Sequence, residues 1–255
     1  MYPSRVEDLY DLMKCVGHYY VLGNGSNVLP SDAGFRGTIL STKGLKKIEG
    51  EEFLEVGAGV TVSELANVAT EKRLTGWEFL VGIPATIGGL VTMNGGAHGI
   101  FMSDIVSRVT ALTENGLIEY TDQACDFGRK TSRFLKNREV VVSVLINLAK
   151  TEQALIAKRK QTHLQQRAFL PKGKSMGCVF QNPQGVSAGF LLSECGLCGS
   201  KEGGAIIAKE HANFILNRDN ATERDILKLI ERMKSEVYRR FDIQLKEEIQ
   251  YLRDD

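Results

Sequence analysis

The sequence predicts an α+β protein: a first part built mainly of short strands with a few helices, then a second unit reached through a charged helix. Three observations carry this. Short apolar runs bounded by Gly, Asn, Asp and Pro recur up to Leu148, the pattern of brief strands between turns. Thr151–Arg167 is polar and charged but helically spaced, and bridges to the second unit. Two glycine-rich stretches, Leu22–Asn27 (LGNGSN) and Gly76–Gly99 (GWEFLVGIPATIGGLVTMNGGAHG), stand far apart, the second with seven glycines in 24 residues. A packed core does not need so many missing side chains. Glycine reaches positive φ and lets a backbone approach another surface closely. One reading of the second stretch alone is a run of tight turns. The recurrence of the same character at Leu22–Asn27 favours the other, one long ligand threaded between two subdomains and held by main-chain N–H groups.

Taken in order, Val6–Cys15 has helical spacing with acids in its first turn, and His18–Leu22 reads as a short buried strand. Strand then Gly-rich turn is a phosphate-cradling arrangement, because successive amides make an anion-binding nest. The spacing G-N-G-S-N, with another strand after it at Gly37–Leu40, departs from the dinucleotide fingerprint, which needs a helix there. Lys46–Ile48 and Phe53–Val56 are further short strands. Thr61–Lys72 is a helix with Thr61 and Glu64 at capping-box spacing. Val106–Leu112 and Leu117–Tyr120 form a hairpin around Asn115-Gly116, and Val140–Leu148 is a strongly apolar strand.

In the second part, Lys172–Pro183 (KGKSMGCVFQNP) is a basic loop leading into a buried strand end. Ala188–Cys195 is a helix closed by Gly196, and Gly203–Lys209 and Phe214–Leu216 are strand-like. Asn220-Ala221-Thr222 caps the helix Glu223–Phe241, whose apolar stripe is Ile226, Leu229, Ile230, Met233, Val237 and Phe241. Ile243–Leu245 reads as a last strand before Glu247-Glu248.

Composition excludes several classes. A net charge of +1 argues against a nucleic-acid scaffold. No apolar run reaches the roughly 20 residues of a membrane span, and the N-terminus lacks a signal-peptide core, so the cytoplasm is the expected location. Five irregularly spaced cysteines make no disulfide framework. Cys195 and Cys198 are formally C-x-x-C but have no second pair or nearby histidine for zinc, and no metal site is expected.

The motifs LGNGSNVL, GWEFLVGIPATIGG, MNGGAHG, GCVFQNP, AGFLLSECGLCG, HANFILN and LKEEI, with Asp32, Gly37, Ser132 and Phe134, occur in order over most of the chain. In their order and spacing they resemble the UDP-N-acetylenolpyruvoylglucosamine reductase (MurB) family, of the shorter type. The resemblance implies an FAD-binding domain of the vanillyl-alcohol-oxidase (PCMH) type in two subdomains, residues 1–150 with a break near 55, and a smaller α+β substrate domain, 151–255. It implies NADPH as reductant, FAD as cofactor, and a UDP-sugar, UDP-N-acetylglucosamine enolpyruvate, as substrate of a monomeric enzyme that binds neither nucleic acid nor membrane. Gly23, Asn24, Gly25, Ser26 and Asn27 would then hold the pyrophosphate. Ile83, Pro84, Ala85, Thr86, Gly88, Gly89, Asn94 and Gly95 would line the FAD.

Hydride addition to an enol ether bearing a carboxylate puts carbanion charge on the α-carbon. A cation must stabilise it and an acid must protonate it. The resemblance assigns the acid to Cys178, a thiol still protonated at neutral pH at its unperturbed value near ~8.5; by itself Cys178 also reads as a small buried thiol. Glu248 falls at the family's C-terminal Glu, which helps bind and polarise the substrate's carboxyl end; taken alone, Glu247 and Glu248 are a solvated charge pair. The family's Y-R-x-S-x-F is Arg129-Lys130-Thr131-Ser132-Arg133-Phe134 here, so Lys130 stands at the catalytic Arg position and Arg129 at the Tyr position. Lysine keeps the charge but loses two-pronged contact with a carboxylate, and Arg129 is the alternative cation. Arg129, Ser132, Gln181 and Asn182 are the expected substrate contacts, with Gln181 replacing a common Lys or Arg. The sequence begins near the family's N-T-x-x-x-G-G segment and lacks it. A MurB-like binder without turnover, and a flavin reductase with another acceptor, are the alternatives. His98 reads either as a flavin contact or as a loop hydrogen bond, His211 as a turn residue, and Trp77 as core.

Overall fold

A computed structural model describes residues 1–183 and 185–254. The chain forms two compact units, Met1–Asn24 with Gly37–Arg167, and Gly25–Arg36 with Ala168–Asp255.

In the first unit a five-stranded antiparallel sheet runs in the order Gly116–Thr121, Val106–Thr113, Val140–Asn147, Phe53–Gly57, Ile48–Glu49. Val140–Asn147 is central because it is apolar on both faces; Val140, Val141, Val142, Val144 and Ile146 are all buried. A separate parallel pair, Tyr19–Leu22 with Thr38–Ser41, carries the first glycine-rich loop at its end. The change from one sheet to the other falls between Ser41 and Ile48. Val62–Glu71 has its capping box, with Thr61 accepting from the Glu64 amide at 3.2 Å and Glu64 from the Thr61 amide at 2.8 Å. The hairpin pairs Thr113 with Gly116, so Glu114 and Asn115 are the connecting residues. Trp77 is wholly buried and donates to the Leu74 carbonyl at 2.8 Å.

The helix Gln153–Arg167 belongs to this first unit, which therefore ends at Arg167 rather than at 150. Ile156 is buried in its core, Arg159 donates to the Thr75 hydroxyl, and Arg167 donates to the Gly82 carbonyl at 3.3 Å. Polar composition marked the helix as a bridge; one apolar anchor and two arginines hold it instead.

The second unit contains a three-stranded antiparallel sheet, Lys201–Glu202, Ala205–Ile207 and Ile215–Asn217, with helices Ala188–Glu194 and Glu223–Phe241. The long helix buries Ile226, Leu229, Ile230, Met233 and Val237. Ile243–Leu245 is not a strand. The last strand is Gln250–Leu252, which pairs in parallel with Val28–Pro30. That pairing draws Gly25–Arg36 into the second unit. Leu29 enters its core, and Asp32 accepts from the Glu223 amide at 2.7 Å at the start of the long helix.

Candidate active site

The first unit sets Gly23 and Asn24, from the first glycine-rich stretch, against the second stretch. Asn24 donates through Nδ2 to the Pro84 carbonyl at 2.7 Å. A Cβ on Gly23 would lie 2.5 Å from Thr86 Oγ1, so only glycine fits there. Among the described residues, the main-chain amides of Gly23, Asn24, Gly25, Ser26 and Asn27 serve no hydrogen-bond partner. The second stretch is different. Ile87 and Gly88 donate to the Val60 and Ala58 carbonyls at 2.8 and 2.9 Å, and Gly89 donates to Thr86 Oγ1 at 3.4 Å. Gly88 lets the helix Ile87–Thr92 close onto Ala58, because a Cβ would stand 2.6 Å from the Ala58 Cβ. Ile83, Pro84 and Ala85 keep exposed surface; Gly89 is exposed, while Thr86, Gly88, Asn94 and Gly95 are buried.

Asn94, at φ 42°, uses both ends of its side chain internally: it donates to the Gly128 carbonyl at 3.1 Å and accepts from the Ser103 amide at 3.0 Å. Gly128 and Thr131 bridge each other, which puts Arg129 and Lys130 at the tip of a tight turn with Lys130 at φ 54°. Ser132 comes directly after the turn, wholly buried, and donates to the Thr92 carbonyl at 2.7 Å. Its hydroxyl, expected to meet substrate, instead fastens the turn to the end of the helix Ile87–Thr92. Asn94 and Ser132 thus hold both flanks of the Arg129-Lys130 tip, a role absent from the sequence reading. His98 faces His163, with ring centroids 5.4 Å apart; burial and then the His163 and Arg167 charges lower its pKa.

The second unit gathers Cys178 and Glu248. Cys178 is half-buried and bridges Phe214. Its neighbour Val179 accepts from the Glu248 amide at 2.8 Å, and Gln181 donates to the Lys246 carbonyl at 2.9 Å, so Glu248 lies across from the residue after Cys178. Asn27 braces the same strand, donating to the Glu248 carbonyl at 3.1 Å and accepting from the Gln250 amide at 2.9 Å. Glu247 is not one half of a solvated pair: it is ion-paired with Lys234 and accepts from the Tyr251 hydroxyl. These contacts raise the pKa of Lys234, and burial together with Glu247 raises that of Tyr251. Asn182 is exposed, and its Oδ1 accepts from the Ala188 amide at 3.0 Å, at the start of the helix Ala188–Glu194. His211 holds its turn, with Nδ1 accepting from the Asn213 amide at 3.3 Å. Cys195 and Cys198 are free, and no group of three or more His, Cys, Asp or Glu suited to a metal occurs among the described residues. No helix among them is long and apolar enough to cross a membrane.

Comparison with known proteins finds relatives of both parts of the chain. A family model described as an FAD binding domain matches residues 1–122, and one described as UDP-N-acetylenolpyruvoylglucosamine reductase, C-terminal domain, matches residues 165–252. The UDP-N-acetylenolpyruvoylglucosamine reductase of Carboxydothermus hydrogenoformans is 36% identical over 98% of this chain and 86% of its own length. That of Bacillus subtilis is 35% identical over the same shares. The crystal structure of UDP-N-acetylenolpyruvylglucosamine reductase (MurB) from Thermus caldophilus superposes with a TM-score of 0.88 at 32% identity, covering 98% of this chain and 90% of that one.

The fold and these matches define a flavoprotein of α+β class with an FAD-binding domain of the PCMH type. In the first unit, the amides of Gly23 and Asn24, which serve no partner among the described residues, and the missing side chain at Gly23 fit a phosphate of FAD. The chain belongs to the UDP-N-acetylenolpyruvoylglucosamine reductase family.

Proposed function

We propose that this protein reduces UDP-N-acetylglucosamine enolpyruvate to UDP-N-acetylmuramate with NADPH, in the synthesis of peptidoglycan precursors. The observation that supports it most is the main-chain pairing of Glu248 with Val179, which sets the stretch that carries Glu248 across from the residue after Cys178. The residue expected to polarise a carboxyl end and the thiol expected to protonate the adjacent carbon thus belong to one local arrangement.

FAD bound here would supply the hydride chemistry, carrying reducing equivalents from NADPH to the β-carbon of the enol ether. Gly23, Asn24, Gly25, Ser26 and Asn27 would hold its pyrophosphate through their amides, and Ile83, Pro84, Ala85 and Gly89 would supply surface along it. Thr86, Gly88, Asn94 and Gly95 support that surface from behind. The Lys130 ammonium, with Arg129 beside it in the turn, stabilises negative charge that spreads from the α-carbon into the carboxylate. Cys178 Sγ gives its proton to the α-carbon, and the thiolate left behind is reprotonated from solvent. Gln181 and Asn182 flank the sugar nucleotide. In this reading the enzyme works as a monomer in the cytoplasm on soluble nucleotides, residues 1–150 forming the core of the flavin domain and 168–255 the substrate domain.

The test is a single turnover. Protein loaded with FAD and reduced anaerobically by NADPH should return to the oxidised flavin spectrum when the enolpyruvate is added. Flavin that is reduced but not reoxidised by this substrate points to another acceptor. Failure to bind FAD points to a binding protein without turnover.

A further inference from the structure

Asn213 stands out in the second unit as a polar side chain only 1% exposed, between the buried Ala212 and the nearly buried Phe214. It makes three contacts with one short stretch of chain. Its carbonyl accepts from the Val179 amide at 2.8 Å. Its Oδ1 accepts from the Phe180 amide at 2.9 Å, and its Nδ2 donates to the Phe180 carbonyl at 2.8 Å. The side-chain amide thus pairs with Phe180 as a neighbouring strand would.

The stretch it grips needs such a partner. Residues 174–181 belong to no regular strand; their β-pairing with the rest of the unit consists of isolated bridges, Lys174 with Asn217, Cys178 with Phe214 and Phe180 with Glu247, while Met176, Val179 and Phe180 pack into its core. Gly177, at φ 77°, sits directly before Cys178 in a conformation that turns the chain freely. Cys178 is held by its own bridge to Phe214 and, on its C-terminal side, by the anchored Val179 and Phe180. Val179 also carries Glu248, whose amide it accepts at 2.8 Å. One continuous line of main-chain hydrogen bonds runs from Asn213 through Val179 to Glu248, with Cys178 beside its middle, and the Asn213 side chain pins the next residue, Phe180, against it.

We propose that Asn213 is a positioning residue for the reduction, holding the Cys178 thiol and the Glu248 backbone in register through its clamp on Val179 and Phe180. This rests on Cys178 acting as the acid. A displacement of about 1 Å at a reacting group lowers a rate by about a hundredfold, which sets the scale of the effect.

The test uses the full-length, FAD-loaded protein and separates the two half-reactions. Asn213→Ala should leave flavin reduction by NADPH unchanged and slow reoxidation by the enolpyruvate about a hundredfold. In a Cys178→Ala background it should cause no further slowing. Asn213→Asp keeps the acceptor for the Phe180 amide but turns a carboxylate oxygen toward the Phe180 carbonyl. Its reoxidation, relative to the unsubstituted protein, should recover as pH falls, because a protonated carboxyl donates that bond again. If Asn213→Ala does not fold, the pH recovery of Asn213→Asp decides. Equal slowing of both half-reactions, the same slowing on top of Cys178→Ala, or an Asn213→Asp rate ratio that is flat with pH would overturn the proposal. Wild-type reoxidation by Cys178→Ala alone would overturn it too, by removing the acid assignment beneath it.

Discussion

Asn24 Nδ2 donates to the Pro84 carbonyl at 2.7 Å, and beside that bond Gly23 stands so near Thr86 that a Cβ would lie 2.5 Å from its hydroxyl. Gly23 and Asn24 are therefore packed directly on the Pro84–Thr86 turn. Gly23 has no positive φ, so its requirement is space alone. Gly23→Ala should weaken FAD binding tenfold or more, the equivalent of an overpacking cost of about 1–3 kcal/mol. Asn24→Ala should weaken it about fivefold, for one neutral hydrogen bond of about 1 kcal/mol. Titration of apoprotein with FAD, monitored by quenching of flavin fluorescence, gives both values.

Ser132 is expected to act on turnover through the Arg129-Lys130 turn. Its buried hydroxyl holds the Thr92 carbonyl, and removing it leaves that carbonyl unpaired at a cost of about 1–3 kcal/mol. Ser132→Ala should lower kcat by a larger factor than it lowers FAD affinity. A substrate contact at Ser132 would instead raise KM with kcat preserved.

Adjacent glutamates at the chain end should separate cleanly. Glu247 is held by Lys234 and Tyr251 and ties the long helix to the last strand. Glu247→Gln should lower the melting temperature while leaving most of the activity. Glu248→Gln should leave melting nearly unchanged and lower turnover. Differential scanning fluorimetry with steady-state kinetics on both variants checks this.

Local signals made much of this fold legible. The capping residues Thr61 and Thr222, the hairpin near Asn115, and the stripe of the last helix are written in spacing, and each is formed. The glycine-rich loops were also visible, because so many missing side chains have few other uses. What local pattern does not carry is pairing at long range. Gln250–Leu252 becomes a strand only because Val28–Pro30 lies beside it, so the short apolar run Ile243–Leu245 looked the better strand. The site shows the same division. Cys178, Glu248 and Lys130 stand in recognisable motifs. The clamps Asn94, Ser132 and Asn213 also stand in recognisable motifs, but their partners lie 9 to 40 residues away, and nothing in their own neighbourhood shows that their side chains bind the chain itself.

Acid should loosen the turn that carries Asn213. Burial holds the His211 imidazole below its ordinary 6.5, and Nδ1 accepts from the Asn213 amide, which a protonated ring cannot do. The folded protein binds this proton more weakly than the unfolded chain. The contribution of His211 is therefore fully present above about pH 6.5 and is lost as pH falls through the lowered folded value. The melting temperature of the wild type should fall more steeply from pH 7 to pH 5 than that of His211→Gln. Parallel curves would show that His211 does not titrate against folding.

The central claim is that Cys178 supplies the proton that completes the reduction. Stopped-flow reoxidation of the NADPH-reduced flavin by UDP-N-acetylglucosamine enolpyruvate tests it most directly, compared among wild type, Cys178→Ser and Cys178→Ala. Serine can still donate, so Cys178→Ser should stay within about tenfold of wild type, whereas Cys178→Ala should lose about 10²–10⁴-fold, the range for removing a general acid. Reoxidation of Cys178→Ala at the wild-type rate would contradict the account.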